Sequence, residues 1–184
     1  ETALEKISDL SLRLYAPNHG PLVREGLIDI TEAYRKWSKQ QTNQDNNVAL
    51  IYASAYGNTA TLAQAIARGI TKAGVAVESI NCEAVEPEEI KTAVEKASGF
   101  VIGSPTLGGH APTQIQTALG IILSTAAKSK PAGVFGSFGW SGEAVDILES
   151  KLKDAGFRFG FEPIRVKFKP DEKALQMCEE AGVD

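Results

Sequence analysis

Cysteine is nearly missing from this 184-residue chain. Its two residues, Cys82 and Cys178, stand far apart, with no Cys-x-x-Cys pair and only two histidines to join them. A structural zinc site or a disulfide framework has little to build on, and two reduced thiols in a cytoplasmic protein are expected. Lysine and arginine, 19 together against 23 acidic residues, gather in no block, and the net charge is −4. That balance weighs against nucleic acid or an anionic membrane surface as the main partner. No apolar run nears the roughly 18 residues that a membrane span needs, so no membrane insertion is expected. The opening ETALEKISDL is acidic, unlike a signal peptide, and the missing initiator Met suggests a fragment or a trimmed chain. Two nucleotide signatures are also lacking: no Gly-Lys-Ser/Thr closes a Walker loop, and no Gly-x-Gly-x-x-Gly is found.

What is present is an ordinary apolar fraction, 43%, in a length that suits one domain with about 40 residues to spare. A polar stretch, QQTNQDNN (40–47), can bury nothing and reads as a linker. It divides the chain into residues 1–40, a linker 41–47 and a domain 48–184. Before the linker, LSLRLYAPNHGPL reads as a strand and a loop, and REGLIDITEAYRKWSKQ as a helix with Leu27, Ile30, Tyr34 and Trp37 at helical spacing. These pieces cannot enclose a core and look like the tail of a preceding domain. After it, β-branched runs alternate with amphipathic stretches: strands at 48–54, 75–82, 99–105, 131–139 and 157–168, each followed by a helix. That alternation predicts an α/β fold, a doubly wound five-stranded parallel sheet of order 2-1-3-4-5. Flavodoxin has that order, and ligands of such sheets bind beyond the carboxyl ends of the strands.

Three loops fall at those ends. The first, SAYGNT, runs from Ser54 through Ala55, Tyr56, Gly57 and Asn58 to Thr59. Glycine there lets successive N–H groups curl into an anion nest at a helix N-terminus, with hydroxyls of Ser54 and Thr59 as further donors. No cation lies in the loop, so a phosphate would be held by neutral donors. The same residue types also make a plain turn and helix cap. The second loop, SPTLGGHAPT (104–113), contains Pro105, Thr106, Leu107, Gly108 and Gly109 and is rich in turn formers. The third, GSFGWSGEA (136–144), sets Phe138 and Trp140 among Ser137, Gly139, Ser141 and Gly142. Such aromatics could stack on a flat ring, or Trp140 could pack over the sheet edge. A phosphate nest, a shaped loop and an aromatic wall on one crevice point to flavin mononucleotide, FMN.

SAYGNT, GSPT and above all GSFGWSGEA, placed after a linker, resemble the flavodiiron proteins, and APNHGPLVR (16–24) resembles the end of that family's metallo-β-lactamase-like domain. The resemblance spans nearly the whole chain and implies a flavodoxin-like FMN domain, 48–184, behind a remnant of the diiron domain, 1–40. It implies electron relay from NAD(P)H or a redox partner, through a flavin-reductase domain or redox protein, toward oxygen or nitric oxide at a diiron centre. Head-to-tail dimers, homo- or heteromeric, are implied for the parent. His19 matches the histidine that ends the family's ligand set, but one imidazole is not a site, and the resemblance implies iron only in a full-length parent. Trp140 and Tyr56 are the candidates for aromatic contact with the ring. Two departures stand out: Phe138 where the family commonly has Tyr, and LGGH where it often has Asn after Pro-Thr and one residue. Two other readings fit the same residues, a flavin-dependent quinone reductase and a non-redox assembly module that has lost FMN.

Overall fold

The computed structural model describes residues 4, 10, 13–16, 22–42 and 46–183. The chain divides into two compact units, 1–45 and 46–184. In the first, helix α1 (Leu27–Thr42) begins after Gly26 and carries Asp29 in its first turn, at the positive end of its dipole. Thr31 donates its hydroxyl back to the Leu27 carbonyl and accepts the Tyr15 hydroxyl at 2.6 Å, beside a single antiparallel bridge between Tyr15 and Val23. The expected linker is shorter than its composition suggests, because α1 continues to Thr42 and the next strand begins at Asn47. Most of the segment that holds His19 lies outside the described residues, His19 included.

In the second unit, the alternation of apolar runs and amphipathic stretches becomes β1 (Asn47–Tyr52), α2 (Asn58–Lys72), β2 (Ala76–Asn81), α3 (Pro87–Lys96), β3 (Gly99–Pro105), α4 (Thr113–Thr125), β4 (Ala132–Phe138), α5 (Glu143–Asp154), β5 (Ile164–Lys167) and α6 (Glu172–Val183). All four strand pairings are parallel, in the order β2-β1-β3-β4-β5. Strand periodicity sends alternate residues to opposite faces. Ala49, Ile51, Phe100, Ile102 and Val134 pack with α3, α4 and α5, whereas Leu50, Val101 and Phe135 pack with α2 and α6. β3 is buried at all seven positions, as expected of a central parallel strand covered on both faces.

The fifth strand is a correction. Its expected span, 157–168, shrinks to four residues, preceded only by a bridge from Phe159 to Ala132. Gly160 and Pro163 interrupt the run, and proline cannot donate to a ladder. Three glycines allow close layers. A Cβ on Gly103 would lie 2.0 Å from the buried Phe135 ring. Where α2 crosses α6, a Cβ on Gly69 would meet the Glu179 carbonyl oxygen at 2.0 Å, and one on Gly182 the Ile66 carbonyl oxygen at 2.3 Å. Arg68 and Lys72 of α2 both pair with the Glu179 carboxylate beside that crossing.

Candidate functional site

The order in which strands are added reverses between β1 and β3, since β2 lies outside β1 while β4 and β5 lie beyond β3. The carboxyl ends of β1, β3 and β4 therefore flank one crevice, and the three loops meet there.

In the first loop, Gly57 adopts φ +81° immediately before α2, a backbone conformation that glycine enters at little cost. Ala60 donates its N–H to Ser54 Oγ at 3.0 Å, so the Ser54 hydroxyl closes the first turn of α2 and keeps its own proton to donate. The N–H groups of Tyr56, Gly57, Asn58 and Thr59 meet no acceptor among the described residues, as expected at a helix start. Ala55 and Gly57 are exposed, and Tyr56 is 87% exposed. The Thr59 hydroxyl, read from sequence as a free donor, is instead buried and shares a 2.8 Å hydrogen bond with Ser137 Oγ.

That bond ties the first loop to the third. Ser137 also accepts the Thr106 N–H on its carbonyl at 3.0 Å, which ties in the second. Thr106 Oγ1 in turn accepts the Ala144 N–H at 3.3 Å, at the start of α5. Changing Thr59→Val removes one partner and leaves the Ser137 hydroxyl buried and unpaired. The chain should lose roughly 1–3 kcal/mol of unfolding free energy, read by urea denaturation, whereas Thr59→Ser should keep most of it.

The second loop is a tight hairpin. Leu107 and His110 exchange both backbone hydrogen bonds, at 2.9 and 3.1 Å, around Gly108 at φ +58° and Gly109 at φ +79°. Positive φ at both central positions is the type I′ pattern, which glycine adopts at little cost. Pro105 ends β3 and is buried, and Leu107 is 43% exposed at the tip.

In the third loop Phe138 is half-buried and lies against Gly142, where a Cβ would meet its ring at 3.3 Å. Trp140 is 92% exposed, so it does not pack into the sheet edge. Its contact is Phe168, edge to face, with ring centroids 6.5 Å apart and planes at 79°. Ser141 is exposed, and Gly139 and Gly142 are half-buried. The Ser141 hydroxyl, followed by Glu143's own N–H, holds the Glu143 carboxyl below the usual carboxylate range. Its Oε2 is buried and is the one such side-chain atom among the described residues with no hydrogen-bond partner.

Two neighbours were missed by sequence reasoning. Glu83, just beyond β2, accepts the Ser54 N–H at 3.2 Å, a contact across 29 residues that no local pattern announces. Phe168, the residue after β5, bonds its N–H to the Phe138 carbonyl at 2.7 Å. An aromatic at the carboxyl end of the strand beside β4 was the available signal. For metal, no group of three or more His, Cys, Asp or Glu residues is placed to hold an ion among the described residues.

Known proteins share both this fold and this sequence. The profile of the family described as Flavodoxin matches residues 50–182. Over all 184 residues the chain is 77% identical to putative diflavin flavoprotein A 6 of Nostoc sp. (strain PCC 7120), covering 32% of that protein. The solved flavodiiron core of Flv1 from Synechocystis sp. PCC6803 superposes with a TM-score of 0.91 at 65% identity, over 99% of this chain and 45% of that one. Rubredoxin oxygen:oxidoreductase from Desulfovibrio gigas gives 0.72 at 25% identity, over 98% and 46%. The chain thus spans about a third of the length of the curated relatives it matches.

Proposed function

Because this chain belongs to the flavodoxin family, we propose that its second unit is the FMN-binding electron-relay domain of a larger flavodiiron oxidoreductase. One observation carries the reading: Ser137 joins all three loops at the carboxyl ends of β1, β3 and β4, so a nest, a turn and an aromatic wall share one crevice. The donor set fits the cofactor. Neutral N–H groups at the start of α2 and the Ser54 proton suit a phosphate. The exposed Trp140 face, with Tyr56 on the first loop, suits a flat ring, and Glu143 Oε2 is a buried acceptor still lacking a donor. FMN, when bound, supplies the redox-active ring. The protein's part is to hold the phosphate with residues 54–59, to line the ring with 105–109 and 137–142, and to set its surroundings.

The wider role rests on the relatives. In flavodiiron proteins the diiron centre belongs to another domain, so electrons received here pass onward to oxygen or nitric oxide reduction there. A flavin-reductase domain or a redox protein is the donor, and a homo- or heterodimer is the working assembly. Residues 1–40 are read as the end of the metallo-β-lactamase-like domain, separated from the flavodoxin-like part by 41–47. A cytoplasmic setting suits the thiols of Cys82 and Cys178, which burial pushes up to about 11. No described helix is long and apolar enough to cross a membrane.

Titration of the purified chain with FMN, followed by flavin fluorescence and the visible spectrum, tests the proposal. Saturable binding at micromolar FMN is the expected result. No binding would leave the assembly-module reading, and rapid steady-state quinone reduction with NAD(P)H by the isolated chain would favour the quinone reductase.

A further inference from the structure

Phe168 is the only residue other than glycine with positive φ, +60°, among the described residues. A bulky side chain rarely adopts that conformation, and where one does, the surroundings must hold it. It lies in the short bend between β5 and α6, two residues before Pro170. What the conformation achieves is placement. The Phe168 N–H reaches the Phe138 carbonyl at 2.7 Å, and its ring turns toward the third loop. There a Cβ on Gly139 would sit 3.5 Å from the Phe168 ring, and Trp140 meets that ring edge to face. Phe168 itself remains 56% exposed, so little burial rewards the strain. The Lys167 ammonium lies 5.3 Å from the ring centroid, a second contact on the aromatic surface.

We infer that Phe168 is a positioning residue for the ring site: its strained backbone holds an aromatic brace against which Trp140 and the Gly139 peptide are set before any flavin arrives. The inference rests on the proposed FMN site, and it makes the end of β5 a fourth wall beside the three loops. A brace of this kind reduces the number of Trp140 orientations that binding must freeze out, so its benefit falls on the ring rather than on the phosphate. Strain held for function also predicts that stability and affinity separate when the residue is changed.

The test uses the full chain in a Trp37→Phe background, so that Trp140 is the sole tryptophan. Phe168→Gly removes both strain and brace. It should keep the melting temperature within about 2 °C of the parent or raise it, while weakening FMN and riboflavin alike by roughly tenfold. Without any flavin, its Trp140 emission should lose anisotropy and become more accessible to acrylamide. Phe168→Tyr, which keeps the ring, should retain native affinity and anisotropy. Unchanged affinity and unchanged Trp140 anisotropy in Phe168→Gly would overturn the inference, as would a large fall in melting temperature that Phe168→Tyr rescues together with affinity. Should the parent chain bind neither flavin, the proposed function falls, and the flavin-free Trp140 emission still decides whether Phe168 acts as a brace.

Discussion

Replacing Gly57 with aspartate should weaken FMN binding by about a hundredfold or more, whereas Gly57→Asn should remain within a few-fold of the native chain. The two variants share size and backbone demand, and asparagine and aspartate both tolerate the left-handed conformation that Gly57 adopts at φ +81°. The Cβ that both add would find nothing within 4 Å. They differ only by a charge placed among the free N–H groups that open α2. A carboxylate beside a phosphate dianion, at the effective dielectric of a protein surface, is unfavourable by roughly 3 kcal/mol, or about two orders of magnitude in affinity. Riboflavin is the control. Lacking the phosphate, it should bind both variants equally, and a fluorescence titration with each ligand reads the difference. Equal FMN affinity in the two variants would place the phosphate somewhere other than this nest.

The largest loss of stability is expected from Gly69→Ala. Its Cβ would sit 2.0 Å from the Glu179 carbonyl oxygen and 2.9 Å from the Gly182 Cα, all backbone on the facing helix. Backbone cannot rotate out of the way as a side chain can, so α6 must lift from α2 and uncover part of the apolar layer holding Leu62, Ile66 and Cys178. A cost of about 3 kcal/mol follows from overpacking of this kind, or a melting temperature lower by roughly 6–12 °C for a domain of this size. Gly120→Ala provides the contrast. Gly120 also lies inside a helix, α4, but a Cβ there meets nothing within 4 Å. It should stabilise the chain by about 0.5–1 kcal/mol through helix propensity alone.

Much of this arrangement is legible in the residues. The strands show as short β-branched runs and the helices as periodic stretches, because each element buries a defined face and sequence must mark that face. Hence the parallel doubly wound sheet and the three loops at its carboxyl ends can be read directly, and the order 2-1-3-4-5 follows by likeness to flavodoxin. The start of β5 cannot. Its apolar run continues on both sides of Gly160 and Pro163, and only the ladder decides where pairing starts. The chemistry of single side chains is harder still. Thr59 looks like a free donor until Ser137, 78 residues away, is seen to share its proton. Phe168 looks like one more strand aromatic until its backbone torsion is known. LGGH looks like the loss of a side-chain amide until its two glycines are seen at the tip of a tight hairpin. Partners far apart along the chain, and torsions, leave no periodic trace.

The crossing of α2 and α6 has a consequence in time. The ribosome delivers α2 about a hundred residues before α6, and at roughly 5–20 residues per second that gap lasts about 5–20 s. During that interval β1, made first of the five strands, gains β2 and β3 on its two sides, but one face of the sheet carries only α2 of its two helices. Until α6 emerges, that face leaves open the surface around Ile66 and Gly69 on which α6 will settle. A chain released short of α6 would keep it open, presenting to chaperones and proteases the surface that the complete domain hides.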